Sequence, residues 1–418
     1  IKQNHVMRKP VIVISVLTLA TILLVSCRSV NQQVSDKKSM PGIIEMTEAQ
    51  LSAMNSNNDF SIRIFKEVAA SEQGSVLISP LSATYALGML ANGAQGDTRR
   101  EIVEGLGFGN GDVKDVNTIC HRLMTDAPRL DKSATIDIAN AVVVNQRHQP
   151  RTDFKKTVRK QYDALVENKD FGSPTTLSFI NNWAKEKTHG MIPKVLNEVD
   201  PMAVTYLMNA VYFKGMWASK FDKAQTKTES FVTENGDRRQ VPMMHRESRH
   251  MANTNDIYKT VVLPYGNGSF NMVILLPHEG KTVNDVLGGL SAETWRDNLA
   301  SCSNREVDLK LPRFSTTYQT LLNKPLSNIG MRRMFDSRQA DLSALCDGPT
   351  AVSDVLQSAK IELDEEGTRA AAVTTIMVRM TSMAPSGPME FHADRPFVYA
   401  ITEGSTGAIF FMGVYRGD

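Results

Sequence analysis

Between Glu365 and Ser382 the chain reads Glu-Glu-Gly-Thr-Arg-Ala-Ala-Ala-Val-Thr-Thr-Ile-Met-Val-Arg-Met-Thr-Ser. Small residues give way to β-branched ones, and no acid follows Glu366. A helix capped at Thr368 would suit the alanines, but Val373 to Val378 is poor helix material and good strand material. Read at period two, Thr368, Ala370, Ala372, Thr374, Ile376 and Val378 form one uncharged face. Arg369, Ala371, Val373, Thr375, Met377 and Arg379 form the other, which holds both charges. That is the pattern of a strand with one face on a core. Ala384-Pro385-Ser386-Gly387-Pro388 then reads as loop. A strand-competent segment running into an open loop invites aggregation, so a protein that keeps one uses it.

The remaining chain supplies a large core for such a strand. Of 418 residues, 42% are hydrophobic and 22% charged, which excludes disorder, collagen-like repeats and a disulfide scaffold for the bulk of the molecule. Phe60, Ile64 and Val68 fall four apart with Gly74 as a stop, predicting a helix. Ser79-Pro80 caps a second helix over Leu81 to Leu90, and Thr98-Arg99-Arg100-Glu101 fits a capping box for a third. Ser178 to His189, closed by Gly190, is another helix. Later runs, Val204–Phe213, Phe270–Leu276, Val307–Phe314 and Ile409–Tyr415, are rich in β-branched and aromatic residues and read as strands. Helices first and strands after them predict an α+β fold with large sheets.

The first residues read as an address. Arg8-Lys9 precedes an apolar stretch from Val11 to Val25, short for a membrane span, that ends in Leu24-Val25-Ser26-Cys27. This resembles the lipobox of bacterial lipoproteins, which implies a signal peptide over 1–26 and lipidation of Cys27. Met7 is the natural start on this reading, leaving residues 1–6 unexplained. Residues 27–47 are polar, without apolar period, and read as a flexible tether; 48–418 read as one domain. An envelope or outer-membrane location, with release to the outside as an alternative, is the corresponding expectation. Lys2, Arg8 and Lys9 are three of the chain's 47 cations, so its formal charge of +2 becomes −1 beyond residue 26. That balance points to no nucleic-acid partner, and no dense basic helix face stands out as a polyanion site. Beyond Cys27 the cysteines are Cys120, Cys302 and Cys346, without metal-ligand spacing, so no metal is expected.

Catalytic signatures are absent. No Gly-x-Ser-x-Gly elbow occurs, and Gly280-Lys281-Thr282 lacks the first glycine of a phosphate loop. His245 and His250 do not make a zinc motif.

The chain resembles the serpin family over residues 57–418. Asn209-Ala210-Val211-Tyr212-Phe213-Lys214-Gly215 with Trp217 looks like the family's strand signature, followed by Phe221-Asp222 and Thr226. Ser79-Pro80 with Ser82, Asn140-Ala141, Thr188-His189-Gly190, Leu263-Pro264-Tyr265, Leu311-Pro312-Arg313-Phe314 and Phe391-His392-Ala393-Asp394-Arg395-Pro396-Phe397 occur in the family's order.

The resemblance implies helices packed around large mixed sheets and a reactive-centre loop over about 365–390. Glu365, Glu366, Gly367, Thr368, Arg369, Ala370, Ala371 and Ala372 become its hinge, and Arg369 stands where the family commonly has glutamate. The family's count from Glu365 makes Thr381–Ser382 the bait bond, with Arg379 and Met380 as alternatives. Ser79, Ser82 and Asn209 match the cluster beneath the sheet-opening point, where Gln357 replaces the usual histidine. Trp217, Arg313 and Glu365 form the region above it. The implied activity is suicide inhibition of serine endopeptidases, with cysteine endopeptidases as a further class, through a covalent 1:1 complex, by a monomer without cofactor. Elastase-like targets suit Thr381, with trypsin-like and subtilisin-like ones as further classes. A non-inhibitory decoy or binding protein of the same fold is the alternative.

Overall fold

Phe60, Ile64 and Val68 are all buried along α1 (Glu48–Ala70) in the computed structural model. The structure describes residues 40–109, 112–348, 350–368 and 387–418. Strand β1 (Val76–Ile78) leads into α2 (Pro80–Gly93), where Ser79 accepts the amide hydrogen of Ser82 and Pro80 takes the first turn, which needs no N–H. α3 (Gly96–Gly105) departs from expectation. It starts at Gln95 without a side-chain cap, and Thr98 lies inside the helix. The Thr98 hydroxyl instead accepts from the Asp341 amide at 3.0 Å, so a tertiary contact takes the group that a capping box would have used.

α4 (Val113–Asp126), β2 (Ala134–Asn145), α5 (Thr152–Tyr162), β3 (Leu165–Lys169) and α6 (Pro174–Lys187) follow. α6 begins four residues before the expected Ser178, capped by Ser173 with Pro174 in its first turn. Strands then dominate: β4 (Thr205–Met216), β5 (Lys227–Val232), β6 (Arg238–Thr254), β7 (Tyr258–Tyr265), β8 (Phe270–Pro277), β9 (Ser303–Pro312), β10 (Phe314–Leu321), β11 (Leu356–Asp364), β12 (Gly367–Thr368), β13 (Met389–His392), β14 (Phe397–Glu403) and β15 (Ile409–Tyr415). The single strand read over Val307–Phe314 is therefore two, broken at Arg313. Its halves belong to different sheets.

One sheet runs β1-β15-β14-β8-β7-β6-β9-β13 with β5 beside β6; the other runs β10-β11-β12-β4-β2-β3. Every residue of β14 and β15 is buried, which is why they read as unbroken apolar runs. A core shared with α1 and α2 covers one face of the six-stranded sheet. α6 covers part of the other, with Trp183 and Ala184 on Ala141 and Ala210. Residues of β4 thus alternate between the core and α6.

The expected tether is held to the domain before it reaches Thr47. The Gly42 and Ile44 amides donate to the hydroxyls of Ser269 and Ser405, each at 2.9 Å, and Ile44 is buried. Gly42 suits the contact, since a Cβ there would lie 2.8 Å from the Leu130 carbonyl oxygen. Cys120, Cys302 and Cys346 are buried free thiols.

Candidate functional site

Two long strands of the six-stranded sheet, β4 and β11, are separated by only two residues of a third. β11 turns inward Gln357, Ala359, Ile361 and Leu363. Beyond it the Asp364 carboxylate accepts the amides of Glu366 (2.8 Å) and Gly367 (3.2 Å), folding the chain back on itself. Gly367 has φ +146°, and a Cβ there would stand 2.2 Å from the Gly215 carbonyl oxygen, so only glycine fits. Gly367 and Thr368 then run antiparallel to both neighbours. Thr368 opposes Leu363 on β11 and Gly215 on β4, while Gly367 opposes Asp364 and Met216. Among the described residues no ladder joins β4 to β11 directly. Among the described residues the geometry is a strand slot filled only at one end.

Thr368 is buried, and its hydroxyl lies 2.8 Å from that of Tyr265. The Tyr265 ring stacks on Trp217 at 4.5 Å and 10°. Trp217 in turn donates its indole N–H to the Asp364 carbonyl and its amide to that of Glu366, both at 2.9 Å. The Phe221 amide donates to the Glu365 carbonyl at 3.0 Å. Every residue from Asp364 to Thr368 is therefore tied to the end of β4, the turn after it, or β7.

The two glutamates differ. Glu365 is buried; its Oε1 accepts from the Thr226 hydroxyl at 2.8 Å, whereas the half-exposed Arg313 approaches only to 3.7 Å. Glu366 meets Lys220 at 2.5 Å and Lys223 at 3.2 Å. The hydrogen bond from Lys220 holds its carboxyl below the usual range, against partial burial. Thr226, Lys220, Lys223 and Tyr265 were not read from the sequence as partners of the hinge. Thr226 and Tyr265 stood only inside family motifs, and the lysines carried no signal.

The turn after β4 is itself pinned. Arg246 on β6 donates to the Ser219 carbonyl and sits 4.4 Å over the Phe221 ring. Burial pushes the Arg246 guanidinium down to about 10, and burial together with Arg246 pushes His250 down to about 3. His250 is a neutral core residue bonded to Ser248 at 2.8 Å.

Lower in the sheet, the Gln357 side chain bridges to the start of α2. It accepts the Ser79 amide (3.2 Å) and donates to the Ser79 carbonyl (2.7 Å). The Ser79 hydroxyl donates to Phe410 at 2.7 Å while capping Ser82. Ser79, Ser82 and Gln357 thus meet. Asn209 bonds instead to Asn140 on β2 at 2.8 Å, and its buried Oδ1 has no partner among the described residues. Arg369, Ala370, Ala371, Ala372, Arg379, Met380, Thr381, Ser382 and Cys27 lie outside the described residues.

A family profile described as Serpin (serine protease inhibitor) matches residues 55–416. Iripin-2 of Ixodes ricinus is 33% identical over 88% of this chain and 93% of its own. Glia-derived nexin of Homo sapiens is 32% identical over 87% of this chain and 93% of its own. The native state of Tengpin, a thermophilic serpin, superposes with a TM-score of 0.82 at 31% identity, covering 90% of this chain and 95% of that one. Its latent state gives 0.77 at 30% identity, covering 89% and 98%.

Proposed function

The chain belongs to the serpin family, a family of protease inhibitors and not of enzymes, and we propose that it is a single-use inhibitor that traps proteases by inserting its cleaved loop between β4 and β11. The observation that carries this reading is the seating of Gly367 and Thr368 in the slot. If the strand continues in their register, Ala370 falls between Phe213 and Ile361, and Ala372 between Val211 and Ala359. Thr374 falls between Asn209 and Gln357, within reach of the unpartnered Asn209 oxygen. The small, uncharged parity of the segment suits that inward face.

The mechanism starts from a sheet whose position between β4 and β11 holds only Gly367 and Thr368 among the described residues, read as a kinetic trap. A protease nucleophile attacks the Thr381 carbonyl, the Ser382 amine leaves, and an acyl-enzyme remains on Thr381. Freed at that bond, Thr368 to Thr381 zips into the slot, gaining about 1 kcal/mol per hydrogen bond plus burial of Ile376 and Val378. The total is on the order of 10–20 kcal/mol, enough to drag the acyl-enzyme along and distort its active site. Elastase-like proteases suit the small Thr381; Arg379 offers trypsin-like proteases a second bond with a shorter tether. Lipidation of Cys27 would hold the inhibitor, as a monomer, at an envelope surface.

The test is incubation of residues 28–418 with an elastase-like and a trypsin-like protease, followed by denaturing gels and sequencing of the released peptide. A boil-resistant complex and a peptide beginning at Ser382 are expected. Cleavage without complex or rise in melting temperature would refute insertion.

A further inference from the structure

We propose that His392 is a proton-operated clasp: as an imidazolium it fastens β13, the edge strand that resumes the chain after the loop, and as a neutral ring it lets that edge loosen. Among the described residues β13 pairs with β9 alone, in a parallel ladder of 4 residues from Met389 opposite Val307 to His392 opposite Lys310. Its other holds are few. Phe391 is buried, the Ala393 amide donates to the Lys310 carbonyl at 2.9 Å, and Lys259 of β7 donates to the Glu390 carbonyl at 2.8 Å.

The registers across β6, β9 and β13 put three carboxylates side by side on one face. Glu247 opposes Asp308, and Asp308 opposes Glu390. Like charges in directly opposed positions destabilise a sheet. The next row on the same face is basic, with His245 opposite Lys310 and Lys310 opposite His392. Lys310 is committed to Glu229 of β5 at 2.7 Å. Arg246, next to His245 on β6, lies over Phe221 instead, and Arg395 pairs with its neighbour Asp394 at 2.7 Å. Balance of the carboxylate row therefore falls to the two histidines. His245 Nε2 lies 2.7 Å from one oxygen of Asp308, and His392 Nε2 lies 2.9 Å from the other.

His392 differs from His245 in facing a carboxylate from each nitrogen. Its Nδ1 lies 3.3 Å from Glu390, and among the described residues no other cation is within ion-pair distance of that carboxylate. A neutral ring carries one N–H and one lone pair, so it meets one of its two carboxylates with the lone pair. Only the imidazolium presents a proton to both. Asp308 and His392 are 30% and 25% exposed, so solvent screens their pairing incompletely. Burial raises the Asp308 carboxyl, but the hydrogen bonds from His392 and His245 outweigh it, and the group stays ionised through the range in which an imidazole titrates. The clasp is therefore closed on the acid side of that titration and open on the alkaline side. Met389 follows Ser382 by seven residues, so the clasp fixes the far anchor of the segment that a protease engages. That consequence rests on the inhibitory reading, whereas the clasp itself does not.

The experiment is hydrogen exchange, read by mass spectrometry, on the uncleaved full chain in neutral detergent at pH 6 and pH 8.5, with no protease. Rates divided by those of an unstructured peptide at the same pH give the protection of residues 389–393. Protection should fall about three-fold on raising the pH, the size of one cross-strand charge pair, while β14 stays unchanged. H392Q takes up no proton and should be loose at both pH values. E390Q, at a side chain 67% exposed, removes the repelled carboxylate and should gain protection at pH 8.5. A ring that merely filled space would leave E390Q like the parent at pH 8.5. H245Q should keep most of the pH dependence. Equal protection of the parent at both pH values, a full pH dependence surviving in H392Q, or an unchanged E390Q overturns the clasp. With no protease present, the result stands or falls separately from the inhibition assay.

Discussion

The hydroxyls of Tyr265 and Thr368 lie 2.8 Å apart inside the core, with the tyrosine ring stacked on Trp217. Thr368 thereby follows Gly367 as the second residue seated in the slot. In the proposed mechanism, whatever enters the slot after cleavage must follow Thr368 through this point. A charged side chain there would have to be buried without a partner. Thr368→Arg should leave the loop cleavable but prevent insertion, giving fragments without a boil-resistant complex and without a rise in melting temperature. Complex formation at the parent rate would refute the entry point.

The Glu365 carboxylate holds the end of the slot through Thr226, with Arg313 as a longer contact. Glu365→Ala leaves the Thr226 hydroxyl without its acceptor and frees the turn after β11. A loss of about 1 kcal/mol is expected for a part-buried hydroxyl so deprived. Spontaneous loop insertion or polymerisation, followed by native gels at raised temperature, should be faster. Arg313→Ala should have the smaller effect.

Much of this architecture was legible. The four-residue spacing of Phe60, Ile64 and Val68 found α1, and runs of β-branched and aromatic residues found β4, β8, β9 and β15, because burial decides those positions. Parity picked out the uncharged face of the hinge segment, and Thr368 on that face is buried. What failed was whatever depends on distant partners. Thr98 gave up its cap for Asp341, and Arg313 breaks a run of strand residues because two sheets part there. Lys220 and Glu366 stand 146 residues apart, a pairing that no local pattern announces.

Gln357 tests the region beneath the hinge. Its amide makes two hydrogen bonds to the backbone of Ser79, fastening β11 to α2. Gln357→Leu keeps the volume but strips both bonds, which should cost about 1–3 kcal/mol and lower the melting temperature by a few degrees. Gln357→His places an imidazole there and should add to the pH dependence near neutrality. Thermal melts at pH 5.5 and 8 compare the three.

On the other sheet, β13 resumes the chain after the loop, and Asp308 of β9 fastens it. Asp308 accepts from His392 at 2.9 Å and from His245 of β6 at 2.7 Å. Burial raises the Asp308 carboxyl, but the hydrogen bonds from His392 and His245 outweigh it and hold the group below its ordinary value of 3.8. A depressed carboxylate contributes stability above its unfolded pKa and loses it as pH falls through the folded one. Asp308→Asn should therefore melt lower than the parent at pH 5 to 7, and the difference should vanish well below pH 4.

Acid should also loosen the hinge itself. The Glu366 carboxyl is held below its ordinary 4.5 by the hydrogen bond from Lys220, with Lys223 adding to it. By the same linkage, the pairing contributes in full above about pH 4.5 and is lost as pH drops through the folded value. Because Glu366 precedes Gly367, protonation releases the turn just before the two residues already in the slot. The rate of spontaneous loop insertion should rise in acid and be flat above about pH 5.5. In Glu366→Gln the amide can still accept from Lys220 but carries no charge to lose. That variant should insert faster than the parent at pH 7 and show a weaker acid acceleration. Rates measured by native gel from pH 3.5 to 7 decide it: parallel profiles for the two proteins would assign the acid sensitivity to another carboxylate.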